Sequence, residues 1–337
     1  MNELHVGLGE GSDEALSDPT YFAFARTSNA AGNIVALEDK PAAPLAQLPQ
    51  VLLGRYRLER LLGAGGMGAV YRARDLLHEQ FGDPDPYIAI KLLSDTFLKS
   101  PDASALLYSE FALTRRLHHP NVVRLHSFEV DTHCQRAFIT MELMHGLTLD
   151  KLLCERPTGL PWHEVRDVAL PLLDALAYSH TCGVLHGDLK PSNVMLSERG
   201  VRLFDFGLGK AEEGALPGLA QLSRSQFNAW TPSYAAAELL EGGALSVRSD
   251  LYALGCVIYE LVGGKHPFKR LPATQARDEG LDQTLTRPRG LPRHCWPALQ
   301  KALSFDPCTR LSNASQLRAA LARPTSRLKG WLARCRL

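Results

Sequence analysis

The chain is poor in the features that would assign it to several large protein classes. Its seven cysteines, at 134, 154, 182, 256, 295, 308 and 335, never form Cys-x-x-Cys and are odd in number. That argues against a disulfide framework and a zinc site, and favours free thiols in a reducing compartment. Charge of one dominant sign is also missing. Lys and Arg number 37 against 36 Asp and Glu, so no overall field favours bulk binding to nucleic acid. The longest apolar run, near 251–262, is broken by Gly255 and Glu260 and falls short of the ~20 residues that span a bilayer. Met1-Asn2-Glu3-Leu4-His5 offers neither a positive region nor an apolar core, so no secretory signal is read there. The expectation is a soluble, cytoplasmic protein without a membrane span. At 337 residues it is long enough for one large two-lobed domain or two domains.

What is present concentrates in His186-Gly187-Asp188-Leu189-Lys190-Pro191-Ser192-Asn193 and in Leu203-Phe204-Asp205-Phe206-Gly207. Moving a phosphoryl group takes a carboxylate to orient a hydroxyl, a second carboxylate and an amide to hold a metal, and a cation for the transferred group. Asp188, Asp205, Asn193 and Lys190 supply one of each. Upstream, Gly63, Gly65 and Gly68 fit G-x-G-x-x-G within Gly63-Ala64-Gly65-Gly66-Met67-Gly68. A dinucleotide fold would open a helix at this point. Instead Ala69-Val70-Tyr71-Arg72-Ala73 reads as a second strand, so the glycines sit at a hairpin tip that can lay backbone N–H groups over phosphates. No Gly-Lys-Ser/Thr follows, which excludes a Walker loop.

Residues 76–86, with Pro84 and Pro86, read as a loop, and Tyr87-Ile88-Ala89-Ile90-Lys91-Leu92-Leu93 as an apolar strand carrying one lysine. A helix is expected over 103–117, with Glu110 in its middle where it can pair with Lys91. A long amphipathic helix is expected over 164–182, kinked or interrupted by Pro171.

These motifs, in this order, resemble the eukaryotic-type (Hanks-type) serine/threonine protein kinases that bacteria also carry. The resemblance covers about residues 54–322 and implies a bilobal α+β fold. An antiparallel sheet with one helix would form an N-lobe over 54–143, and a mainly helical C-lobe would follow over 144–322. It implies ATP, with magnesium or in its place manganese, as cofactors and proteins as substrates. By the same resemblance Asp188, Lys190, Lys91, Glu110 and Thr231 are catalytic, and Asn193 and Asp205 bind metal. Gly63, Ala64, Gly65, Gly66, Gly68, Val70, Ala89, Lys91, Met141, Glu142, Met144 and Met195 bind nucleotide. Met141 would stand beside the adenine, Val70, Ala89 and Met195 would sandwich it, and the backbone of Glu142 and Met144 would bond its edge. His186 and Phe206 would stack between the lobes beneath Leu125. Asp250 would cap the catalytic loop, or serve as a plain helix N-cap. Arg310 would pair with Glu238.

Four positions depart from the family pattern. Gly187 replaces the arginine that receives an activation-loop phosphate, so activity is expected not to require that phosphate. Thr114 replaces a long aliphatic residue one turn after Glu110, Ala237 the proline of the A-P-E motif, and Trp230 a glycine. His-Gly-Asp with an asparagine five residues on also marks aminoglycoside- and choline-type kinases. Against that reading stand Lys190, the intact Asp205-Phe206-Gly207 and Thr231 in a peptide-binding segment. A pseudokinase scaffold is opposed by the presence of Lys91, Glu110, Asp188, Asn193 and Asp205.

Residues 1–53 are expected to form a flexible extension, with Tyr21-Phe22-Ala23-Phe24 as a regulatory latch in the sharper reading. Ser223 and Ser225 are candidate autophosphorylation sites. In the tail, 323–337, five Arg and Lys residues accompany Leu328, Trp331, Leu332 and Cys335 at helical spacing without an acid. Such a stretch suits weak contact with a membrane or a partner.

Overall fold

A computed structural model describes residues 50–65, 68–94, 103–206 and 231–323, and the backbone of 210–211. The first sheet has the order β1-β2-β3-β4-β6-β5, all neighbours antiparallel. Its strands are β1 (Val51–Leu52), β2 (Tyr56–Ala64), β3 (Gly68–Asp75), β4 (Tyr87–Leu93), β5 (Leu125–Asp131) and β6 (Arg136–Glu142). Strand period sorts its side chains. Ile90, Leu92, Phe138 and Tyr71 pack on one face with Leu52 and Tyr56. Val70, Ala89, Leu93, Ile139 and Met141 pack on the other. Lys91 shares the parity of Ala89 and Leu93, so it points with them toward the helix on that face. That helix, α2 (Ala103–Thr114), buries Ala103, Leu107, Glu110, Phe111 and Thr114 along one stripe.

The sheet begins earlier than expected. Val51 pairs with Arg57 and Leu52 with Tyr56, and Leu52 is fully buried. The stretch 76–86 is not wholly a loop either, because its first residues form α1 (Leu76–Gln80). Asp75 caps that turn by accepting from the amides of Leu77 and His78, and the prolines lie beyond it.

The second lobe is mainly helical. After β7 (Gly146–Thr148) come α3 (Leu149–Glu155), α4 (Trp162–Thr181), β8 (Val184–Leu185), β9 (Val194–Ser197), β10 (Gly200–Leu203) and β11 (Lys210–Ala211). These are followed by α5 (Ala237–Leu240), α6 (Val247–Gly263), α7 (Ala273–Asp278), α8 (Trp296–Ala302) and α9 (Ala314–Ala322). Helix α4 runs unbroken through Pro171. Its burial of Val165, Val168, Ala169, Leu172, Leu173 and Leu176 against the C-lobe core outweighs the backbone bond a proline cannot make. Helix α6 starts at a capping box made by Ser246 and Ser249, so Asp250 lies inside the helix rather than at its cap. No described helix is long and apolar enough to cross a membrane.

Candidate active site

Three elements deliver one ion cluster. Lys91 Nζ on β4 donates to both carboxylate oxygens of Glu110 on α2, each at 2.7 Å, and to Asp205 Oδ1 at 2.8 Å. Burial alone would discharge Lys91, but Asp205 and Glu110 outweigh it and hold the ammonium charged. Burial likewise pushes the Asp205 carboxyl up, and Lys91 pulls it down further, so it stays below the ordinary range. Glu110 moves the other way, its burial exceeding the pull of Lys91. Asp205 adopts a left-handed backbone, φ 63°, which aspartate tolerates better than most residues.

Beneath it, the loop that begins at His186 is fixed through its backbone. Asp250 on α6 accepts from the amides of His186 and Gly187, both at 2.9 Å, and is bonded to His180 Nε2 at 2.9 Å. It is fully buried, and burial pushes its carboxyl up, but the bond to His180 together with His186 and the Gly187 amide holds it below the usual range. His186 is also fully buried, and burial lowers its pKa. Its Nδ1 accepts from the Asp188 amide at 3.2 Å, so Nε2 carries the proton and donates to the Phe204 carbonyl at 3.2 Å. The ring lies 4.5 Å from that of Phe206. Phe206 belongs to the C-lobe core, whereas Leu125 packs against the N-lobe cluster. Gly187 has φ 84°, a conformation that a glycine enters without steric cost.

Asp188, Lys190 and Thr231 form a closed triangle. Lys190 Nζ lies 2.6 Å from Asp188 Oδ2 and donates to Thr231 Oγ1 at 2.8 Å, and the Thr231 amide donates to Asp188 Oδ1 at 3.3 Å. Asn193 is fully buried and donates from Nδ2 to the Asp188 carbonyl at 2.8 Å. Among the described residues its Oδ1 has no hydrogen-bond partner. An oxygen left unpaired in a buried setting suits a hard divalent cation.

Between the lobes an open cavity of about 370 Å³ is lined by Val70, Lys91, Glu110, Thr114, Val123, Leu125, Met141, Phe204 and Asp205. Ala89, Met144 and Met195 pack in the same apolar cluster without lining it. The Glu142 amide is taken by the Arg124 carbonyl at 3.0 Å. Gly65 and Gly68 exchange amide-to-carbonyl bonds at 2.8 and 3.2 Å, which closes the hairpin tip that also carries Gly63 and Ala64. Any side chain at Gly68 would run into the Leu92 carbonyl. Gly66, Gly207, Trp230, Ser223, Ser225, Tyr21–Phe24 and the tail beyond Arg323 lie outside the described residues.

The C-lobe anchors the segment that follows Thr231. Arg310 clasps Glu238 with two bonds, of 2.6 and 2.9 Å, and also donates to the carbonyls of Ser304, Arg248 and Phe305. A second anchor is absent from the sequence reading. Tyr234 donates to Glu260 Oε2 at 2.5 Å, and Arg270 donates to Oε1 at 2.5 Å. In the sequence Glu260 reads only as an interruption of an apolar run, since neither partner lies within one helical turn of it. Thr114 carries a further signal: it is buried, and its hydroxyl, beside the ion cluster, has no partner among the described residues.

Comparison with known proteins decides the family, since the Protein kinase domain family matches residues 56–322. The chain belongs to the protein kinase domain family. A solved kinase domain, PknI of Mycobacterium tuberculosis, matches it with a TM-score of 0.60 at 26% identity, covering 81% of this chain and 96% of that one. Among curated relatives, serine/threonine-protein kinase pkn3 of Myxococcus xanthus is 34% identical over 79% of this chain and 49% of its own. The serine/threonine-protein kinase PkaA of Streptomyces coelicolor is 33% identical over 77% of this chain and 48% of its own. The chain thus spans about half the length of these relatives. The kinase fold accounts for the bilobal α+β architecture and for the cavity that Lys91, Glu110 and Asp205 line.

Proposed function

We propose that this chain is a serine/threonine protein kinase that transfers the γ-phosphoryl of ATP to hydroxyls of protein substrates. The observation that carries this reading is the triangle of Asp188, Lys190 and Thr231. It sets a carboxylate and an ammonium side by side, with the peptide-binding segment bonded to both. The incoming hydroxyl gives its proton to Asp188 as its oxygen bonds to phosphorus, the bond to the ADP oxygen breaks, and Lys190 offsets charge on the moving group. Lys91, held charged by Glu110 and Asp205, is positioned to bind the α- and β-phosphates. The hairpin from Gly63 to Gly68 would cover them, and Val70, Ala89, Met141 and Met195 would enclose the adenine. With its amide already bonded, Glu142 has its carbonyl to offer the base, and Met144 its backbone.

Asn193 and Asp205 would hold Mg²⁺, or in its place Mn²⁺, supported by the unpartnered Asn193 Oδ1. The ion would neutralise phosphate charge and orient the nucleotide. Gly187 leaves the loop without an arginine for an activation-loop phosphate, so we read the activity as independent of that modification, with autophosphorylation as a secondary reaction. The place of action is read as the cytoplasm, and the tail, 323–337, as a contact segment for an anionic surface.

Gly187 also favours a second reading, a kinase of aminoglycosides or cholines, which the bonding of Thr231 to the catalytic pair opposes. The test is label transfer from γ-labelled ATP to generic protein substrates and to a panel of those small molecules. Enzyme freed of phosphate by a phosphatase, and then purified from it, is compared with Asp188→Asn. Label should enter protein, should persist after phosphatase treatment, and should fall roughly 10²–10⁴-fold in the variant. Label in small molecules alone would replace the reading, and a rate restored only by autophosphorylation would remove the role given to Gly187.

A further inference from the structure

Glu260 is buried on α6, and its carboxylate is filled from two sides. Tyr234 donates to Oε2 and Arg270 to Oε1, and Arg270 also donates to the Tyr234 hydroxyl at 3.3 Å. The two charges differ in access: the Glu260 side chain is 3% exposed and that of Arg270 57%. A guanidinium carries five N–H groups in one plane. Two of those on Arg270 are engaged by Glu260 and Tyr234, and the rest of the fork faces solvent.

The turn that delivers Arg270 is held in an unfavourable shape. Lys269 and Arg270 both have left-handed backbones, φ 53° and 60°, which residues with a Cβ adopt at a cost. His266 holds the turn there. Its Nδ1 accepts from the amides of Phe268 and Arg270 at 3.2 and 3.1 Å, and its ring meets that of Tyr234 edge-on at 5.1 Å. Residues 264–277 contain no acid. Lys265 and Lys269 are exposed and have no ion-pair partner among the described residues, while the next cation, Arg277, is spent on Glu241. The turn therefore sets three cations against the single carboxylate of Glu260.

This turn adjoins the reacting groups. Tyr234 and Asp188 line one cavity of about 240 Å³. Thr231, bonded to both Asp188 and Lys190, accepts at its carbonyl from the amides of Tyr234 and Ala235 at 2.9 and 3.0 Å. One tyrosine side chain thus separates Arg270 from the Asp188 triangle. An extended peptide advances ~3.3 Å per residue, so the guanidinium lies within reach of residues close to an acceptor hydroxyl at Asp188.

We propose that the 265–270 turn, with Arg270 as its inner contact, is a specificity element that receives a carboxylate side chain of the protein substrate a few residues from the phosphorylated hydroxyl. A guanidinium fork matches a carboxylate in shape and charge, and Lys265 and Lys269 add to the attraction. Glu260, already filled by Arg270 and Tyr234, is closed to a basic side chain, and the exposed cations repel one. This preference rests on the protein-kinase reading of the site and adds a selection among its substrates.

The test is phosphoryl transfer by the full-length chain, at low and high salt, to serine peptides of one sequence that carry Asp, Asn or Lys around the acceptor. The Asp peptide should be used best and the Lys peptide worst, and the difference should shrink with salt. Arg270→Gln keeps an amide donor for Glu260 without the charge, and should lower the preference for Asp over Asn about fivefold. The loss should appear as a raised KM for the Asp peptide more than as a lowered kcat, because a contact away from the reacting atoms binds ground and transition states alike. Arg270→Lys should retain most of the preference. Lys265→Gln with Lys269→Gln leaves Glu260 undisturbed and should lower it about twofold. Equal use of the three peptides, or preference for Lys, would overturn the proposal, as would full retention of the preference in either glutamine variant. A loss in Arg270→Gln that is equal for all three peptides would reduce Arg270 to an anchor and overturn it as well. Transfer to no peptide and to no protein would instead remove the protein-kinase reading, and this selection with it.

Discussion

In the C-lobe Asp250 and Arg310 hold backbone groups, whereas in the N-lobe Lys91 and Glu110 hold one another. Asp250 is committed to two loop amides, and Arg310 to three carbonyls besides Glu238. Lys91 has as described partners only Glu110 and Asp205, one from α2 and one from the other lobe. A side chain that satisfies buried backbone groups cannot release them without leaving them unpaired. An ion cluster beside an open cavity can exchange one oxygen ligand for another, a carboxylate for a phosphate. The C-lobe is accordingly a fixed frame, and the N-lobe holds the groups that change partners.

The largest effect that would break this contrast is on stability. Arg310→Ala should cost ~3–5 kcal/mol, because Glu238 loses its partner and three carbonyls lose a donor. Lys91→Met should cost clearly less, since Glu110 and Asp205 face a cavity that admits water. Urea unfolding of both variants checks this, and equal losses would erase the distinction between the lobes.

A second effect is on pH dependence in the C-lobe frame. His266 accepts at Nδ1 from the amides of Phe268 and Arg270, and burial lowers its pKa from 6.5 to about 3. Between those values the unfolded chain binds a proton that the folded chain does not. Stability therefore falls as pH falls, with a slope approaching about 1.4 kcal/mol per pH unit from this group. His266→Gln should flatten the slope between about pH 6 and 4. An unchanged slope would assign the acid sensitivity to other groups.

The smallest effect sharpens the N-lobe side. Thr114→Val replaces an unpartnered buried hydroxyl with a methyl of the same shape and should stabilise by about 1 kcal/mol. Thermal unfolding checks it, and a loss of stability would mean that the hydroxyl has a partner in solution.

Much of the site was legible because each motif is local. Asp188, Lys190 and Asn193 sit on one short loop, and the parity of an apolar strand places Lys91. The pairings of Lys91 with Glu110 and of Arg310 with Glu238 follow from motif order, although 19 and 72 residues separate the partners. Less legible were features whose meaning depends on a distant neighbour. Glu260 is explained only by Tyr234 and Arg270. Pro171 is accommodated because the helix around it is buried on the core side. Leu76–Gln80 turns helical through its cap.

The sequence by itself determined the chemistry: which carboxylates, which lysines and which amide are available, and in what order along the chain. Residue identity and short spacing are enough for that. Tertiary structure alone decided which of those groups are already spent and which stand free. Among the described residues Asn193 Oδ1 and the Thr114 hydroxyl are left unpaired, and Asp250 is bound to the loop rather than to its own helix end. The physical reason is that a polar group's availability depends on everything packed around it, and the packing partners here come from elements far apart in the chain.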